Sequence, residues 1–257
     1  MATNLTPYLR EAKLPEEFRQ LGLIAARAFA SHPLKNYLSH QKTAMHLQEG
    51  KRKAKSLRQL ADFEESILRS VVLMGGRIIV VAVPEADGKE RLAACAAWGP
   101  PGSAGRDNAM DTFRAKYHRT IFAWGMVTLK RILGEFVPVS EKQREKAAHK
   151  YGVKDDDYWF LELLFTNPED EGRALAPTKL LMLNAASDRS IAIYHHYGWK
   201  TFDQHMLGVG KAAPDGTYAK GENAKGVLLE LMCKASATAA CVQVPVLNWN
   251  QEPAEAS

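Results

Sequence analysis

The run Tyr158-Trp159-Phe160-Leu161-Glu162-Leu163-Leu164-Phe165 constrains this chain most, because eight residues with a single charge cannot alternate between a core and water. Near-continuous apolar strands belong to sheets covered on both faces, so the run is read as a central strand with helices above and below it. At 257 residues and 46% hydrophobic, the chain is large enough to bury such a sheet. The expectation is an α/β fold in which residues 1–234 form one domain.

Punctuation on either side sets the remaining elements. Thr6 to Ala12 suits a short first strand, and Pro15-Glu16-Glu17 opens a helix running to about Ser31, with Leu21, Ile24, Ala25, Ala28 and Phe29 on one face. Lys51 to Ser70 is a charged helix with Leu57, Leu60, Phe63, Ile67 and Leu68 at helical spacing. Arg77 to Val83 and Arg91 to Trp98 pair around the turn Asp87-Gly88. Ala109 to about Val137 and Glu141 to Tyr151 are helical and form an insertion over about 108–151. Its aromatic stripe suits core packing, with a lid as the alternative. Asp188 to Tyr197 is a helix stopped by Gly198, followed by strands at Trp199 to Val209 and Val227 to Lys234. The tail 235–257 is rich in Ala, Pro and Asn, although Cys241 to Leu247 could add an edge strand.

After the central strand comes Thr166-Asn167-Pro168-Glu169-Asp170-Glu171-Gly172-Arg173-Ala174-Leu175-Ala176, and later Ile193-Tyr194-His195-His196-Tyr197-Gly198-Trp199. These segments resemble the GNAT acyltransferase superfamily, whose acetyl-CoA loop runs Gln/Arg-x-x-Gly-x-Gly/Ala and whose later helix carries a Tyr shortly before Gly-Phe. The loop positions fall on Glu171, Ala174 and Ala176. Gly172 and Arg173 agree with a frequent variant, whereas Glu171 replaces Gln/Arg and Ala174 the central Gly. The second motif is intact at Tyr194, Gly198 and Trp199. Ala28 to Leu38, with His32-Pro33, and Trp98 to Gly102 are similar to segments of the fungal branch, the former near its acceptor side.

The resemblance implies a mixed sheet flanked by helices, acetyl-CoA as acyl donor and a small-molecule amine as acceptor. It places the pantetheine arm along Leu164, Phe165 and Thr166, and the pyrophosphate at Glu171, Gly172, Arg173, Ala174, Leu175 and Ala176. Tyr194 would supply a proton to the departing thiolate, with aromatic packing as the competing reading. Glu162, on an apolar strand, suits a base taking a proton from an ammonium, and a structural ion pair explains it equally. On a two-residue period it shares a face with Tyr158, Phe160 and Leu164.

One feature departs from the family. A parallel return of the chain needs about a dozen residues, usually a helix. If Leu181 to Ala185 is the returning strand, as the similarity of Leu183-Asn184-Ala185-Ala186-Ser187 to "L-E-A-S" suggests, only Pro177 to Leu180 remain for that helix. The alternative keeps a helix through Leu180, Leu181 and Asn184 and displaces the strand. The lost helix is favoured. Three functions remain open: an N-acyltransferase of impaired activity, a catalytically silent GNAT-fold binding protein and, behind both, a nucleic-acid-binding protein acting through Lys51 to Lys55.

A net charge of +5 suits an anionic ligand without choosing one. Lys51-Arg52-Lys53-Ala54-Lys55 resembles a localisation or nucleic-acid patch, with a solvated helix face as the ordinary explanation. Nucleic acid is not the expected partner. Cys95, Cys233 and Cys241 lack paired spacing, which suits reduced thiols; no metal site or membrane span is expected, and a cytoplasmic location, or a nuclear one, follows.

Replacing Glu171 with Gln and Ala174 with Gly should raise acetyl-CoA affinity about tenfold, since the carboxylate repels a pyrophosphate and Ala in a left-handed position costs roughly 1 to 2 kcal/mol. Calorimetric titration measures it. Tight binding by the unaltered chain, or no gain in the double variant, removes this loop as the pyrophosphate site.

Overall fold

A computed structural model of the chain describes residues 6–85, 87–103, 109–153, 157–167 and 180–234. Seven strands form one mixed sheet: β1 (Tyr8–Glu11), β2 (Arg77–Pro84), β3 (Glu90–Gly99), β4 (Trp159–Thr166), β5 (Leu181–Ala185), β6 (Lys200–Leu207) and β7 (Val227–Lys234). Their order is β1-β2-β3-β4-β5-β7-β6, so the long apolar run lies at the centre as its composition requires. β4 and β5 are parallel, and the other neighbouring pairs are antiparallel. The parallel pairing of Leu181–Ala185 overturns the alternative in which a helix ran through Leu181 and Asn184. The crossover residues 168–179, with the question of their helix, lie outside the described residues, as do the tail 235–257 and its candidate edge strand.

A break in the alternation of β4 corrects the expected face of Glu162. Trp98 pairs with Leu161 and Ala97 with Leu163, which leaves Glu162 as the extra residue of a β-bulge. Tyr158 and Phe160 accordingly pack in one cluster with Met182, Leu231 and Cys233, and Leu161 packs with Trp98 and Leu183, while Leu163 and Phe165 join Leu21, Ile24 and Leu68. Leu164 is exposed and does not share the buried environment of Tyr158 and Phe160. The two-residue period fails because one residue has been inserted into it.

Helices cover both faces. α1 (Phe18–Ala28) and α3 (Gly50–Leu73) cross closely, since a Cβ on Gly22 would stand 2.7 Å from the carbonyl oxygen of Ala61. The first helix ends at Ala28 instead of near Ser31, and a separate α2 (Pro33–Leu38) begins at the proline. The insertion is more broken than its periodicity implied. α4 (Ala109–Arg114) and α5 (Tyr117–Trp124) are interrupted at Lys116, with φ of 68°, and α5 ends at Gly125, with φ of 80°. From there α6 (Met126–Arg131), a π-helical turn (Ile132–Phe136) and α7 (Val137–Lys150) run on without the expected gap before Glu141. Tyr117 and Trp124 pack on Phe63, but Met110, Phe113 and Leu133 are exposed, so the stripe is core only in part.

The position of α7 gives the insertion a structural task. Ala147 and Ala148 pack on Tyr158, Phe160, Met182 and Leu231, and Asn184 Nδ2 donates to Ser140 Oγ at 2.6 Å. α7 therefore covers the parallel pair on one face, while α8 (Asp188–His196) covers it on the other through Ile191 and Tyr194. The π-helical turn is tied down by Glu135, which accepts hydrogen bonds from Tyr37 Oη at 2.5 Å and Lys211 Nζ at 2.9 Å. Burial opposes ionisation of Glu135, but these two donors hold its carboxyl below the usual range. The Arg131 guanidinium lies 4.2 Å over the Tyr37 ring and donates to the Tyr37 carbonyl.

A charged pair sits where α2 meets α3. Lys35 Nζ lies 2.8 Å from Glu64 Oε1 and donates to Oε2 at 3.1 Å, with the Glu64 side chain fully buried. The ammonium also sits 4.9 Å from the centre of the Phe63 ring and 5.3 Å from that of Phe29. Burial raises the Glu64 carboxyl above the usual range despite its cation. Lys35→Met alone should therefore cost about 3 to 5 kcal/mol, and adding Glu64→Leu should recover most of it, because the loss comes from an uncompensated charge. Urea unfolding of the three proteins tests this; a double variant as unstable as the single one would mean the pair is stabilising on its own account.

Candidate functional site

The sheet opens at one place. β4 and β5 pair through Trp159↔Leu181, Phe160↔Met182 and Leu161↔Leu183, and there the ladder stops. β4 continues to Thr166 against β3 alone, and β5 ends at Ala185 against β7. The stop coincides with the bulge at Glu162, since an inserted residue bends its strand and increases local twist. From Glu162 to Thr166, β4 presents an edge towards β5 that no described strand pairs. An extended ligand with alternating amide donors and acceptors could pair with that edge as an added strand.

Of the residues implicated by sequence, Leu164, Phe165 and Thr166 lie on this edge. Leu164 is exposed, Thr166 is half-buried, and Phe165 is buried against Phe29 with ring centres 5.9 Å apart. Glu162 is half-buried at the bulge, and its Oε1 is 3.5 Å from where a Cβ on Gly99 would stand, an ordinary contact distance that puts the carboxylate beside the end of β3. Tyr194, on α8, packs edge-on against Trp199 with centres 5.8 Å apart and joins the cluster holding Leu161 and Leu183, the last paired residues of β4 and β5. The ring thus packs on the cluster that holds the last paired residues of β4 and β5. Burial alone raises its pKa to about 12, so it is protonated at neutral pH and able to donate. Glu171, Gly172, Arg173, Ala174, Leu175 and Ala176 lie outside the described residues.

The helix directly after β5 begins at a serine cap: Ser187 Oγ accepts from the Ser190 amide at 3.2 Å. His195 is structural, its Nδ1 3.1 Å from the Trp199 carbonyl oxygen and its Nε2 3.2 Å from Thr201 Oγ1, tying α8 to β6. Tyr197 is exposed. Cys95 and Cys233 are free and buried, with burial raising both thiols, to about 12 for Cys233, so neither is a nucleophile at neutral pH. Among the described residues no three His, Cys, Asp or Glu side chains gather as a metal set, and no helix is long and apolar enough to cross a membrane.

Sequence reasoning passed over His32 as a chemical group. It lies between α1 and α2, with its ring 5.6 Å from that of Phe29, which touches Phe165 of β4. The side chain is half-buried, yet Nδ1 is enclosed and has no hydrogen-bond partner among the described residues. That enclosure, with the Lys35 ammonium adding to it, pushes the imidazole down to about 3. Its signals were the neighbouring proline, which speaks of a helix start, and the similarity of its segment to the acceptor side of the fungal branch, and neither marks the ring as a chemical group. A groove of about 540 Å³ between α1 and α3 reaches Asn167, the last described residue before the crossover, whose buried Oδ1 has no partner among the described residues. On its rim Arg27 and Arg58 are exposed and make no ion pair among the described residues, which suits an anion.

No protein-family model matches the chain, and no curated protein matches it. Among solved structures, a yellow fever mosquito protein assigned as arylalkylamine N-acetyltransferase 7 aligns over 89% of this chain and 86% of its own, at 13% identity and a TM-score of 0.50. Arylalkylamine N-acetyltransferase 2 from Aedes aegypti aligns over 90% and 99%, at 13% identity and a TM-score of 0.48. A Drosophila melanogaster polyamine N-acetyltransferase that forms N-acetylagmatine aligns over 90% and 100%, at 14% identity and a TM-score of 0.46. The first likeness is one of fold, and with the strand order it shows a GNAT-like α/β fold.

His32 should stay neutral throughout the physiological range. Its folded pKa is depressed, so its contribution to stability is complete above about pH 6.5 and is lost as pH falls towards 3, because only the unfolded chain takes up the proton. The His32 ring resonances should be flat between about pH 5 and 8 by NMR. A titration step near 6.5 would show that Nδ1 is solvated.

Proposed function

We propose that this GNAT-fold chain is an acyl-CoA-dependent N-acyltransferase whose acceptor is a small-molecule amine. The observation that carries this reading is the parting of β4 and β5 directly after Leu161, next to the cluster that Tyr194 joins. The unpaired edge from Glu162 to Thr166 would hold the amide-bearing arm of the acyl donor as an added strand, leaving the acyl end near the bulge. Bound acyl-CoA supplies the activated thioester, and the chain's own groups supply alignment and proton transfer.

Two transfers are needed: one from the attacking ammonium and one to the departing sulfur. Tyr194 is assigned the second. Its hydroxyl is kept protonated by burial, and the cluster around Trp199 fixes its ring, so a proton is present whenever the thiolate leaves. Glu162 is assigned the first, directly or through a water. His32 is set aside as the base because an imidazole held near 3 is far too weak to deprotonate an ammonium. The acceptor would enter from the side of α2, where the chain from Phe29 to Pro33 approaches the end of β4. Its identity is set by helices that vary freely on this fold.

Purified protein offered acetyl-CoA and a panel of amines should release free CoA thiol, detected with a thiol reagent. Tyr194→Phe should lower kcat by about 100-fold with acetyl-CoA affinity almost unchanged, since only the proton donor is lost. Glu162→Gln should abolish the acidic limb of the pH profile. Retention of kcat in a chemistry-limited assay would return Tyr194 to packing, and retention of the limb would remove Glu162 from the mechanism. Acetyl-CoA binding without thiol release from any amine would favour the silent binding protein.

A further inference from the structure

The insertion before β4 has its polarity partly reversed. Along α5, α6 and the π-helical turn, Thr120, Thr128 and Arg131 are buried, whereas Phe122, Met126 and Leu133 are 87%, 69% and 60% exposed. The inward face has its apolar share, since Trp124 and Ile132 pack on the cluster that holds Tyr37 and Phe63. The large apolar side chains that the core leaves unused fall together on the outward face. Met126, Val127, Lys130 and Leu133 are exposed and succeed one another at helical spacing, and Phe122 stands four residues before Met126 across the turn at Gly125. Single exposed apolar residues need no explanation, but a set of them backed by buried polar residues marks an interaction surface.

The charge around this patch selects what covers it. Between Asp111 and Glu135 the chain has no acid and five Arg or Lys residues. Both flanking acids are engaged, Asp111 with Arg114 at 3.6 Å and Glu135 with Tyr37 and Lys211. Of the cations, Arg131 is buried and Lys116 lies 3.7 Å from Glu65. Arg119, one turn before Phe122, and Lys130, within the α6 face, are exposed and make no ion pair among the described residues. Arg52 and Lys55 of α3 are exposed too, and they share a cleft with Ala123 and Trp124, the two residues that follow Phe122. The basic run that sequence singled out therefore adjoins the apolar patch.

A second copy docking through the same surface would bring these like charges together about the two-fold axis, so the cations oppose self-association. A side chain as free of neighbours as Phe122 projects from the surface. Apolar projections flanked by cations suit the boundary of a bilayer, where the rings and alkyl chains leave water and the cations meet anionic headgroups. We infer that the α5–α6 corner docks this protein reversibly on anionic membrane surfaces, with Phe122, Met126 and Leu133 entering the interface and Arg119, Lys130, Arg52 and Lys55 at the headgroups. The contact is peripheral, and no helix among the described residues is long and apolar enough to cross a membrane. It does not depend on the proposed reaction, because none of these residues belongs to the open edge of β4 or to α8.

Co-sedimentation of the full chain with vesicles of phosphatidylcholine containing about 30% phosphatidylserine, and with vesicles of phosphatidylcholine alone, tests this. Partitioning onto the anionic vesicles should be at least about tenfold stronger than onto the neutral ones and should weaken as salt is added. Phe122→Ser with Met126→Ser should weaken it by more than about tenfold, since two large apolar side chains no longer leave water. Arg119→Gln with Lys130→Gln should weaken it by about tenfold on anionic vesicles alone. Leu73→Ser, which removes an exposed apolar side chain at the other end of α3, should change nothing. All of these side chains are exposed, so thermal unfolding should be the same for every variant. No partitioning up to about 1 mM lipid, equal partitioning onto neutral vesicles, or an equal loss in Leu73→Ser would overturn the inference. So would lipid-free self-association that Phe122→Ser with Met126→Ser abolishes in sedimentation velocity, which would assign the patch to a second copy. Tighter binding to an oligonucleotide than to the anionic vesicles would also overturn it, by assigning the cations to nucleic acid.

Discussion

One inserted residue in a central strand organises the functional half of this molecule. The register of β3 against β4 skips Glu162, and at the same position β4 loses β5. An unpaired strand edge inside a sheet would ordinarily be a liability, because its amide and carbonyl groups have given up water without gaining each other. Here the parting leaves an open edge lined by Leu164 and Thr166. The same bulge reverses the inward side of the strand, so that Leu163 and Phe165 serve the core beneath α1 and α3.

The parallel pair is stable in this arrangement because both of its faces are covered. α8 lies on one side with Tyr194 packed on the cluster that holds Leu161 and Leu183, and α7 lies on the other with small alanines in the cluster of Tyr158 and Phe160. That second cover comes from the insertion before β4, and the insertion is anchored through Glu135 by Tyr37 and Lys211. A helix inserted elsewhere in the chain thus packs on the strands that a parallel crossover ordinarily covers.

Buried charge is concentrated at the joint between α2 and α3, where Lys35 and Glu64 pair with His32 close by. The proximity has a chemical result: the ammonium and the enclosure of Nδ1 act together to keep His32 neutral. A histidine beside a candidate active site invites a role as base. Here the environment denies it that role.

Local patterning was enough to identify the strands, the α8 motif around Tyr194 and the covered central sheet, because apolar runs and turn residues act over a few neighbours. The similarity around Leu183 to Ser187 also marked the returning strand, and its pairing with β4 agrees. The breaks in the insertion at Lys116 and Gly125 were missed because helical periodicity passes over a single left-handed residue. Bulges are equally invisible: nothing in Leu161-Glu162-Leu163 says that Trp98 and Ala97 will skip the middle residue, since that choice is made between strands some sixty residues apart. The isolation of His32 Nδ1 and Trp124 Nε1 likewise depends on which groups happen to surround them. Sequence by itself determined the elements and the fold class. The tertiary structure decided where the sheet opens and which polar groups are left without partners, because those are properties of contacts between distant segments.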